Sequence, residues 1–183
     1  MQPTSQMEKC RGTIIRRTPL TESSLIIHWC TEKHGILKTV AKGARRPKSP
    51  FAGKLDLFCE AEFVIARSRK TDLHPLRELS LHSIRPGLRK SYLQTLAATY
   101  FVQLLSLVTE PESPIASLNN LLSRALNHLE QNPPDIKAIL HYEKEMAQLL
   151  GVLEPGEMPA KNLEQAGHRL PKTRTELFRL IGH

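Results

Sequence analysis

The stretch between Lys38 and Lys54 holds the side chains with the clearest chemistry in the sequence. It reads KTVAKGARRPKSPFAGK, and no acidic residue lies between Glu32 and Asp56. Its glycines and prolines interrupt any long helix or strand, which predicts a loop. Ammonium and guanidinium groups displayed on such a loop can bind the phosphates of a polyanion without reading its bases. The candidate phosphate-binding side chains of the stretch are Lys38, Lys42, Arg45, Arg46, Lys48 and Lys54.

The positive charge of the chain is concentrated in its front half. Residues 1–90 hold 18 Lys/Arg against 8 Asp/Glu, a net charge of +10, whereas residues 91–183 hold 8 against 10, a net charge of −2. This asymmetry indicates two units, of which the first would meet nucleic acid or another acidic surface. Arg16 and Arg17 add two cations to the predicted DNA contacts. A solvated surface loop is the alternative interpretation of the basic stretch.

Aromatic rings would supply the stacking that single-strand recognition also uses. Phe51 lies inside the basic stretch and could either stack on a base or attach the loop to its domain. Phe58 falls on the wet face of the alternating segment that follows, so we predict an exposed stacking residue there. Trp29 and Phe63 are predicted to be core residues. With so few platforms, backbone charge should dominate the affinity.

Sequence patterns for catalysis are missing. The chain contains no Walker A loop and no GxGxxG, HExxH or GxSxG motif. His28 and Cys30 form an H-x-C pair on one strand face, but two ligands are too few for a zinc site. We predict that both are buried core residues, and a Cys–His nucleophile pair is the alternative interpretation. We therefore predict a binding protein without enzymatic activity, cofactor or bound metal.

The cysteines and the apolar runs indicate where the protein works. Cys10, Cys30 and Cys59 are odd in number, widely spaced and without CxxC, which argues against a disulfide framework and predicts reduced thiols in the cytosol. The N-terminal segment MQPTSQMEKC has no apolar core, so no signal peptide is expected. The longest apolar runs are far shorter than the roughly 20 residues of a membrane span, so no membrane partner is expected.

About five strands must position the basic stretch. They are predicted at residues 11–18, 25–30, 36–41, 55–65 and 73–84, after a loose polar segment over residues 1–8. The clearest is 55–65, where apolar residues occupy every second position. Five antiparallel strands joined by turns indicate a small barrel, and the OB fold is the commonest such barrel that binds nucleic acid. An SH3-like barrel is the structural alternative.

From Pro86-Gly87 onward the apolar period changes from 2 to 3.6, which predicts helices. They are expected at 92–108, at 115–129 with its start at Ser113-Pro114, at 136–150 with Gly151 after its end, and at 173–181. Residues 152–171 are predicted to be irregular. The predicted fold class is α+β, with an OB-fold nucleic-acid-binding domain over 1–86 and a small helical bundle domain over 87–183.

The helical domain has a candidate binding surface of its own. Basic side chains lie near the predicted helix faces, between apolar residues. A basic rim around an apolar groove could bind an acidic peptide with an apolar end. Solvated helix faces are the alternative interpretation. The candidate residues are Arg124, Lys137, His141 and Lys144, with His128 nearby.

The segment ILKTVAKGARRPKSPFAGKLDLFCEAEF resembles the N-terminal domain of the RecO family. That family shows Lys-Gly-Ala-Arg, then a Ser, then a Gly two residues before a Leu. Here these are Lys42-Gly43-Ala44-Arg45, Ser49, Gly53 and Leu55. The segments TESSLII and KTRTELFRL also resemble the family, at residues 21–27 and 172–180. The resemblance covers about residues 8–151 and 170–181.

The resemblance implies a non-enzymatic recombination mediator in the bacterial cytosol, associated with the nucleoid. Such proteins bind single- and double-stranded DNA, anneal complementary strands, and work with RecR to help RecA replace single-strand-binding protein. In them the OB barrel contacts DNA, and the helical domain binds the acidic, phenylalanine-ended tail of single-strand-binding protein. An OB-fold RNA-binding or ribosome-associated protein is the alternative, because the same charge and fold would serve it.

The chain departs from the family pattern in the helical domain. It is shorter than typical members, and the loss falls in residues 152–171. Some members bind zinc in that region through CxxC pairs, whereas this sequence has no cysteine after Cys59. Leu140-His141-Tyr142 precedes Glu143 where members often have Arg or Lys before an aromatic–Glu pair. We expect the barrel to follow the family more closely than the peptide pocket.

Overall fold

A computed structural model describes residues 6–110 and 115–182 of the chain. Two compact units are present. Among the described residues, the first runs up to Ile84 and includes Glu110, Ile115 and Ala116, and the second comprises Arg85–Thr109 and residues 117–182. The predicted helix start at Ser113-Pro114 lies outside the described residues. Among those residues, none of the helices is both long and apolar enough for a membrane crossing.

The first unit is a closed five-stranded barrel with the strand order β1-β2-β3-β5-β4. β3 and β5 are parallel, and every other neighbouring pair is antiparallel. This five-stranded Greek-key closure is that of an OB fold, which confirms the predicted barrel and excludes the SH3-like alternative. The strands are β1 (Met7–Pro19), β2 (Leu25–Thr31), β3 (Gly35–Ala41), β4 (Glu60–Ala66) and β5 (Leu73–Ser83).

An aromatic pair fills the barrel core. The rings of Trp29 and Phe63 stack with centroids 4.1 Å apart, and both side chains are buried, as the sequence predicts. The indole N–H of Trp29 donates to the Thr39 hydroxyl at 2.9 Å, so the polar tip of the ring is satisfied inside the barrel. The inward-facing aliphatic residues around them include Ile14, Ile27, Leu37, Ile65 and Leu76.

Two strand predictions are wrong in their bounds. β1 begins at Met7, earlier than expected, because residues 7–13 pair along their whole length with β4. β4 begins only at Glu60, so the long strand predicted over 55–65 does not form. Phe58 has a left-handed backbone with φ of 68°, which breaks the alternation of faces along this segment. Its N–H instead donates to the Ile14 carbonyl at 2.8 Å.

The second unit is helical. A short 3-10 helix over Pro86–Arg89 precedes α1 (Tyr92–Val108), α2 (Ala116–Gln131), α3 (Ile136–Leu149), α4 (Pro159–Gln165) and α5 (Thr173–Ile181). The α1 bounds match the prediction. The prediction that residues 152–171 are irregular throughout is wrong, because α4 lies within them.

Capping residues explain where the helices of this unit begin and end. The Ser91 hydroxyl accepts from the backbone N–H of Gln94 at 3.1 Å and starts α1. The Asp135 carboxylate accepts from the N–H of Ala138 at 2.7 Å and starts α3 directly after the Pro133-Pro134 break. Gly151 follows α3 with φ of 71°, as predicted for a residue just past a helix end.

Candidate nucleic-acid interface

The basic stretch forms a chain of tight turns between β3 and β4. Its backbone N–H groups bond to carbonyls three residues earlier: Arg46 to Gly43 at 3.0 Å, Ser49 to Arg46 at 3.0 Å and Ala52 to Ser49 at 3.1 Å. Gly43 and Gly53 have φ of 66° and 71°, a conformation in which a side chain would be strained. The two glycines therefore allow the chain to leave β3 and to return toward β4.

Buried apolar residues attach this loop to the barrel. Ala44, Phe51 and Leu55 belong to the barrel core cluster. The N–H of Arg45 also donates to the Ser23 carbonyl at 2.9 Å, which ties the loop to the turn between β1 and β2. The cationic side chains thus project from a backbone that is held by these contacts, so binding them to phosphate would cost little backbone conformational entropy.

Five of the predicted phosphate-binding residues are exposed on the loop. They make no ion pair within the described part of the chain, so their charge is available to an anion. Lys38 differs, because its ammonium contacts the Asp72 carboxylate at 2.6 Å and lowers the pKa of that acid. The five exposed residues are Lys42, Arg45, Arg46, Lys48 and Lys54.

A row of basic side chains crosses three strands on the outer face of the barrel. Arg16 of β1 pairs with His28 of β2, and His28 pairs with Lys38 of β3. Partial burial, reinforced by the two flanking cations, lowers the pKa of His28 below its usual value, so the imidazole is neutral at pH 7. His28 was not predicted as part of an interface. Its position between two cations follows from the pairing of neighbouring strands, which cannot be read from the sequence.

A pocket of about 460 Å³ lies at the base of the loop. Leu25, Phe51 and Leu55 contribute to its apolar wall, while Arg17 and Arg45 also line it. The guanidinium of Arg17 donates to the Leu55 carbonyl at 2.9 Å and lies 3.3 Å from the Asp56 carboxylate, which fixes its direction. An apolar wall with two guanidinium groups beside it is chemically suited to a nucleotide, whose base is apolar on its faces and whose phosphate is anionic.

The predicted stacking residues lie elsewhere than expected. Phe58 is only 3% exposed, so its assignment to the wet face and to base stacking is wrong. The reason is the left-handed backbone at this residue, which turns the ring inward. Phe51 is 7% exposed and packs in the core cluster, which favours its alternative role as the residue that attaches the loop.

The H-x-C pair does not form a nucleophilic site. Cys30 is fully buried, and burial raises the pKa of its thiol to about 12. The thiol is therefore protonated at neutral pH, whereas a nucleophilic cysteine needs the thiolate.

The helical unit holds a groove of about 550 Å³ between α1, α2 and α3. Phe101, Leu121 and Tyr142 line its floor, and the rings of Phe101 and Tyr142 stack with centroids 4.1 Å apart. The predicted peptide-binding residues Arg124, Lys137 and His141 all line this groove. Lys144, also predicted, is exposed but does not line it.

An acid neutralises part of the groove's basic rim. Glu145 contacts the Arg124 guanidinium, and its carboxylate lies 2.6 Å from the Nε2 atom of His141. The hydrogen bond from Arg124 lowers the pKa of Glu145, so this carboxylate stays charged at neutral pH. An anionic ligand at this rim would compete with Glu145 for both side chains.

A buried ion pair supports the groove from behind. Glu143 of α3 is fully buried; it accepts from the Tyr100 hydroxyl at 2.6 Å and from the Arg174 Nε atom at 2.6 Å. Arg174 also lies over the Phe178 ring, 4.2 Å from its centroid. The sequence contained a signal for this residue, since Glu143 falls between Ile139 and Met146 on the apolar stripe of α3.

Comparisons with known proteins show what the chain is similar to. Residues 5–85 match the family model described as "Recombination protein O N terminal". A "DNA repair protein RecO" of Listeria monocytogenes is 29% identical over 163 residues, which are 88% of this chain and 63% of that protein. The protein of the same name from a Cyanothece strain is 31% identical over 137 residues, covering 74% of this chain and 46% of the relative.

A third relative gives the same result. The "DNA repair protein RecO" of Syntrophus aciditrophicus is 26% identical over 148 residues, which are 81% of this chain and 57% of that protein. The chain thus spans less than two thirds of the length of these relatives. The family-model match over residues 5–85 contains the whole OB barrel with the Lys42-Gly43-Ala44-Arg45 loop. The predicted resemblance to the RecO family is confirmed, most directly over the barrel, where the family model matches.

Proposed function

We propose that this protein is a DNA-binding recombination mediator whose basic loop holds the phosphates of single-stranded DNA. The observation that carries the proposal is the set of five exposed cations on an anchored loop, without ion pairs in the described part of the chain. These groups can neutralise phosphates without first giving up an acidic partner. The relatives are named DNA repair proteins, which supports a role in repair by recombination.

The barrel supports the path of a strand beyond the loop. The row Arg16–His28–Lys38 offers Arg16 on the outer face of β1–β3, and also Lys38 if a phosphate displaces Asp72 from it. The pocket beside Arg17 and Arg45 offers an apolar wall to one base. Because the loop contacts would be to phosphate, binding should depend little on sequence. Double-stranded DNA would use the same cations.

The salt dependence of binding tests this role of the loop. If about five cations contact phosphates of a single strand, the logarithm of the affinity should fall with the logarithm of salt with a slope of about −3.5. Charge reversal in Lys42→Glu with Arg45→Glu should weaken binding strongly and make that slope shallower by at least about 1.4. Fluorescence anisotropy of a labelled oligonucleotide over a salt series measures both quantities.

A matched double variant controls for overall charge. Lys144→Glu with Arg169→Glu changes the net charge of the protein by the same amount, at exposed residues of the helical unit. It should keep nearly the wild-type affinity and slope. Equal losses in the two double variants, or none in the loop variant, would rule out the loop as the main contact.

The mediator activity itself involves further proposed partners. RecR, RecA and the C-terminal tail of single-strand-binding protein are the partners that the family resemblance implies, in the bacterial cytosol. The groove of the helical unit supports the tail contact, because an apolar floor between Phe101 and Tyr142 is bordered by cations. Loading of RecA onto DNA coated with single-strand-binding protein, measured with and without RecR, tests this activity.

Two other outcomes would redirect the proposal. A competition between DNA and RNA of equal length should favour single-stranded DNA, and a clear preference for structured RNA would instead support an RNA-binding protein. The purified protein should anneal complementary strands without degrading them. Metal-dependent cleavage that disappears on substitution of a specific acidic residue would show an enzyme.

A further inference from the structure

Three different metal-binding side chains meet at the end of the barrel away from the basic loop. Glu8 and Cys10 lie two residues apart on β1, so they share one face of the strand. His34 comes from the turn between β2 and β3. One ligand atom from each residue, a carboxylate oxygen, the thiol sulfur and a ring nitrogen, lies within 4.8 Å of the other two.

The backbone holds these residues in place before any ion arrives. The pairing of β1 with β2 stops at Gly12 and Thr31, so Glu8 and Cys10 extend past it while remaining paired with β4. The Thr31 hydroxyl accepts from the N–H of His34 at 3.1 Å and donates to the Gly35 carbonyl at 2.9 Å. The turn is therefore ordered with its imidazole toward β1.

We propose that Glu8, Cys10 and His34 form a binding site for a thiophilic divalent transition metal such as Zn²⁺. A thiolate, an imidazole and a carboxylate are ligands that Zn²⁺ accepts, with a water in the fourth position. Ca²⁺ and Mg²⁺ prefer oxygen ligands, so the thiol and the imidazole select against them. The two anionic ligands would balance the charge of the ion, and the metal would join β1 to the turn where the strand pairing ends.

Binding would require small local changes that follow from the contacts present. Tetrahedral Zn²⁺ with bonds of about 2.0–2.3 Å separates its ligand atoms by about 3.3–3.8 Å. The Glu8 carboxylate, now 2.6 Å from His34 Nε2, must therefore move away, while the Cys10 sulfur already lies within 4.8 Å of both ligand atoms. Cys10 is a thiol that is only 6% exposed, and burial raises its pKa to about 11. Metal binding would release this proton as the sulfur–metal bond forms.

Arg67 sets a limit on the affinity. Its Nε atom lies 3.6 Å from a Glu8 oxygen, so the cation competes with a metal for this carboxylate. The metal must displace that contact or share the acid with it. Arg67→Gln should therefore increase metal affinity while it leaves the three ligands in place.

Cobalt absorption on the whole protein tests the site. Titration of the reduced chain with Co²⁺ should produce a thiolate-to-cobalt charge-transfer band, and Zn²⁺ should remove the band by competition. Cys10→Ser should abolish it. His34→Ala and Glu8→Gln should each weaken Zn²⁺ affinity at least about tenfold. Loss of a residue that only hydrogen-bonds to a metal ligand already costs about 10–100-fold, and loss of a ligand should cost no less.

Cys59→Ser is the matched control, since Cys59 is also a buried thiol of the barrel. It should keep the band at full strength, and circular dichroism verifies the fold of every variant. No charge-transfer band in the wild type, or a band that persists in Cys10→Ser, would overturn the proposal. In that case Glu8 and His34 form only a close polar contact beside a buried thiol. DNA binding by the loop is measured separately and does not depend on this result.

Discussion

The cations of the basic loop and those of the helical groove differ in whether they already have partners. Lys42, Arg45 and Arg46 are exposed and make no ion pair in the described parts of the chain. Arg124 and His141 share the carboxylate of Glu145. An anion can bind the first set directly, whereas at the second set it must displace an acid that is already charged. A count of basic residues therefore overestimates the affinity of the groove for an anion more than it overestimates that of the loop.

The two regions also differ in how they are supported. The loop is held by its own turns and by one aromatic side chain, Phe51, in the barrel core. The groove lies on helices, and behind it the buried Glu143 accepts hydrogen bonds from Tyr100 and Arg174. Charges can therefore be changed on the loop with little effect on folding, while the polar centre of the helical unit cannot be changed without cost.

The largest expected effect is that of Glu143→Ala. Removing the acid leaves the Tyr100 hydroxyl and the Arg174 guanidinium without their buried partner, which should destabilise the helical unit by about 3–5 kcal/mol. Urea unfolding followed by far-ultraviolet circular dichroism measures the loss. Trp29 is the single tryptophan and lies in the barrel core, so its fluorescence follows the first unit separately.

Arg179→Ala is the control for this substitution, because Arg179 lies exposed on the same helix as Arg174. It should change stability by no more than about 0.5 kcal/mol. A Glu143→Ala variant as stable as this control would show that the attraction between Glu143 and Arg174 is offset by the cost of removing both charges from water. The helical unit would then depend no more on a polar centre than the loop does.

Phe51→Ala should have the next largest effect, on the barrel. Truncation of a buried phenylalanine costs about 3–5 kcal/mol, and here the lower end is expected because the ring packs beneath a surface loop. The Trp29 fluorescence transition should move to lower urea, and single-stranded DNA affinity should fall as the loop loses its attachment. The stacking alternative makes a different prediction for Phe51→Leu, which keeps an apolar anchor but removes the ring. Unchanged DNA affinity in Phe51→Leu supports attachment, and a large loss supports stacking.

The elements that the sequence predicts well are those with a local cause. The α1 helix follows from a 3.6-residue apolar period and the Ser91 cap, and Gly151 follows from the helix-end rule. The strand predicted over 55–65 forms only from Glu60 onward, although the apolar alternation begins at Leu55. Leu55 and Cys59 precede the strand and are buried because they pack in the barrel core cluster. The positive φ of Phe58 turns its side chain from the predicted exposed face to the interior. A phenylalanine rarely has a positive φ, so the residue type does not predict it.

The site is predictable to the extent that it is contiguous in sequence. The loop cations could be identified because they are neighbours along the chain. The placement of His28 between Arg16 and Lys38 required the strand register, which is a long-range property. Lys144 does not line the groove, whereas Glu145, the next residue, does, because the apolar stripe alone does not fix the phase of a helix face to one residue. The Glu8–Cys10–His34 cluster joins β1 to the turn between β2 and β3, and these segments meet only once the strands have paired.

The smallest expected effect concerns the groove, where an acidic peptide ending in phenylalanine should bind weakly. Lys137 lines the groove, whereas Lys144 on the same helix does not, so the two charge reversals are a matched pair. Lys137→Glu should weaken binding by about two- to fivefold, as expected for an exposed charge contact, and Lys144→Glu should have little effect. Fluorescence anisotropy of the labelled peptide at low salt measures both.

Glu145→Gln should have the opposite effect on the groove. Removing this negative charge frees Arg124 from its partner and makes the groove rim resemble the basic loop, so the peptide should bind more tightly. The gain should shrink at high salt, because the added attraction is between exposed charges. If Glu145→Gln instead weakens binding, Glu145 serves mainly to orient Arg124 toward the ligand. Absence of binding to the wild type at high micromolar protein would show that this groove does not take the peptide.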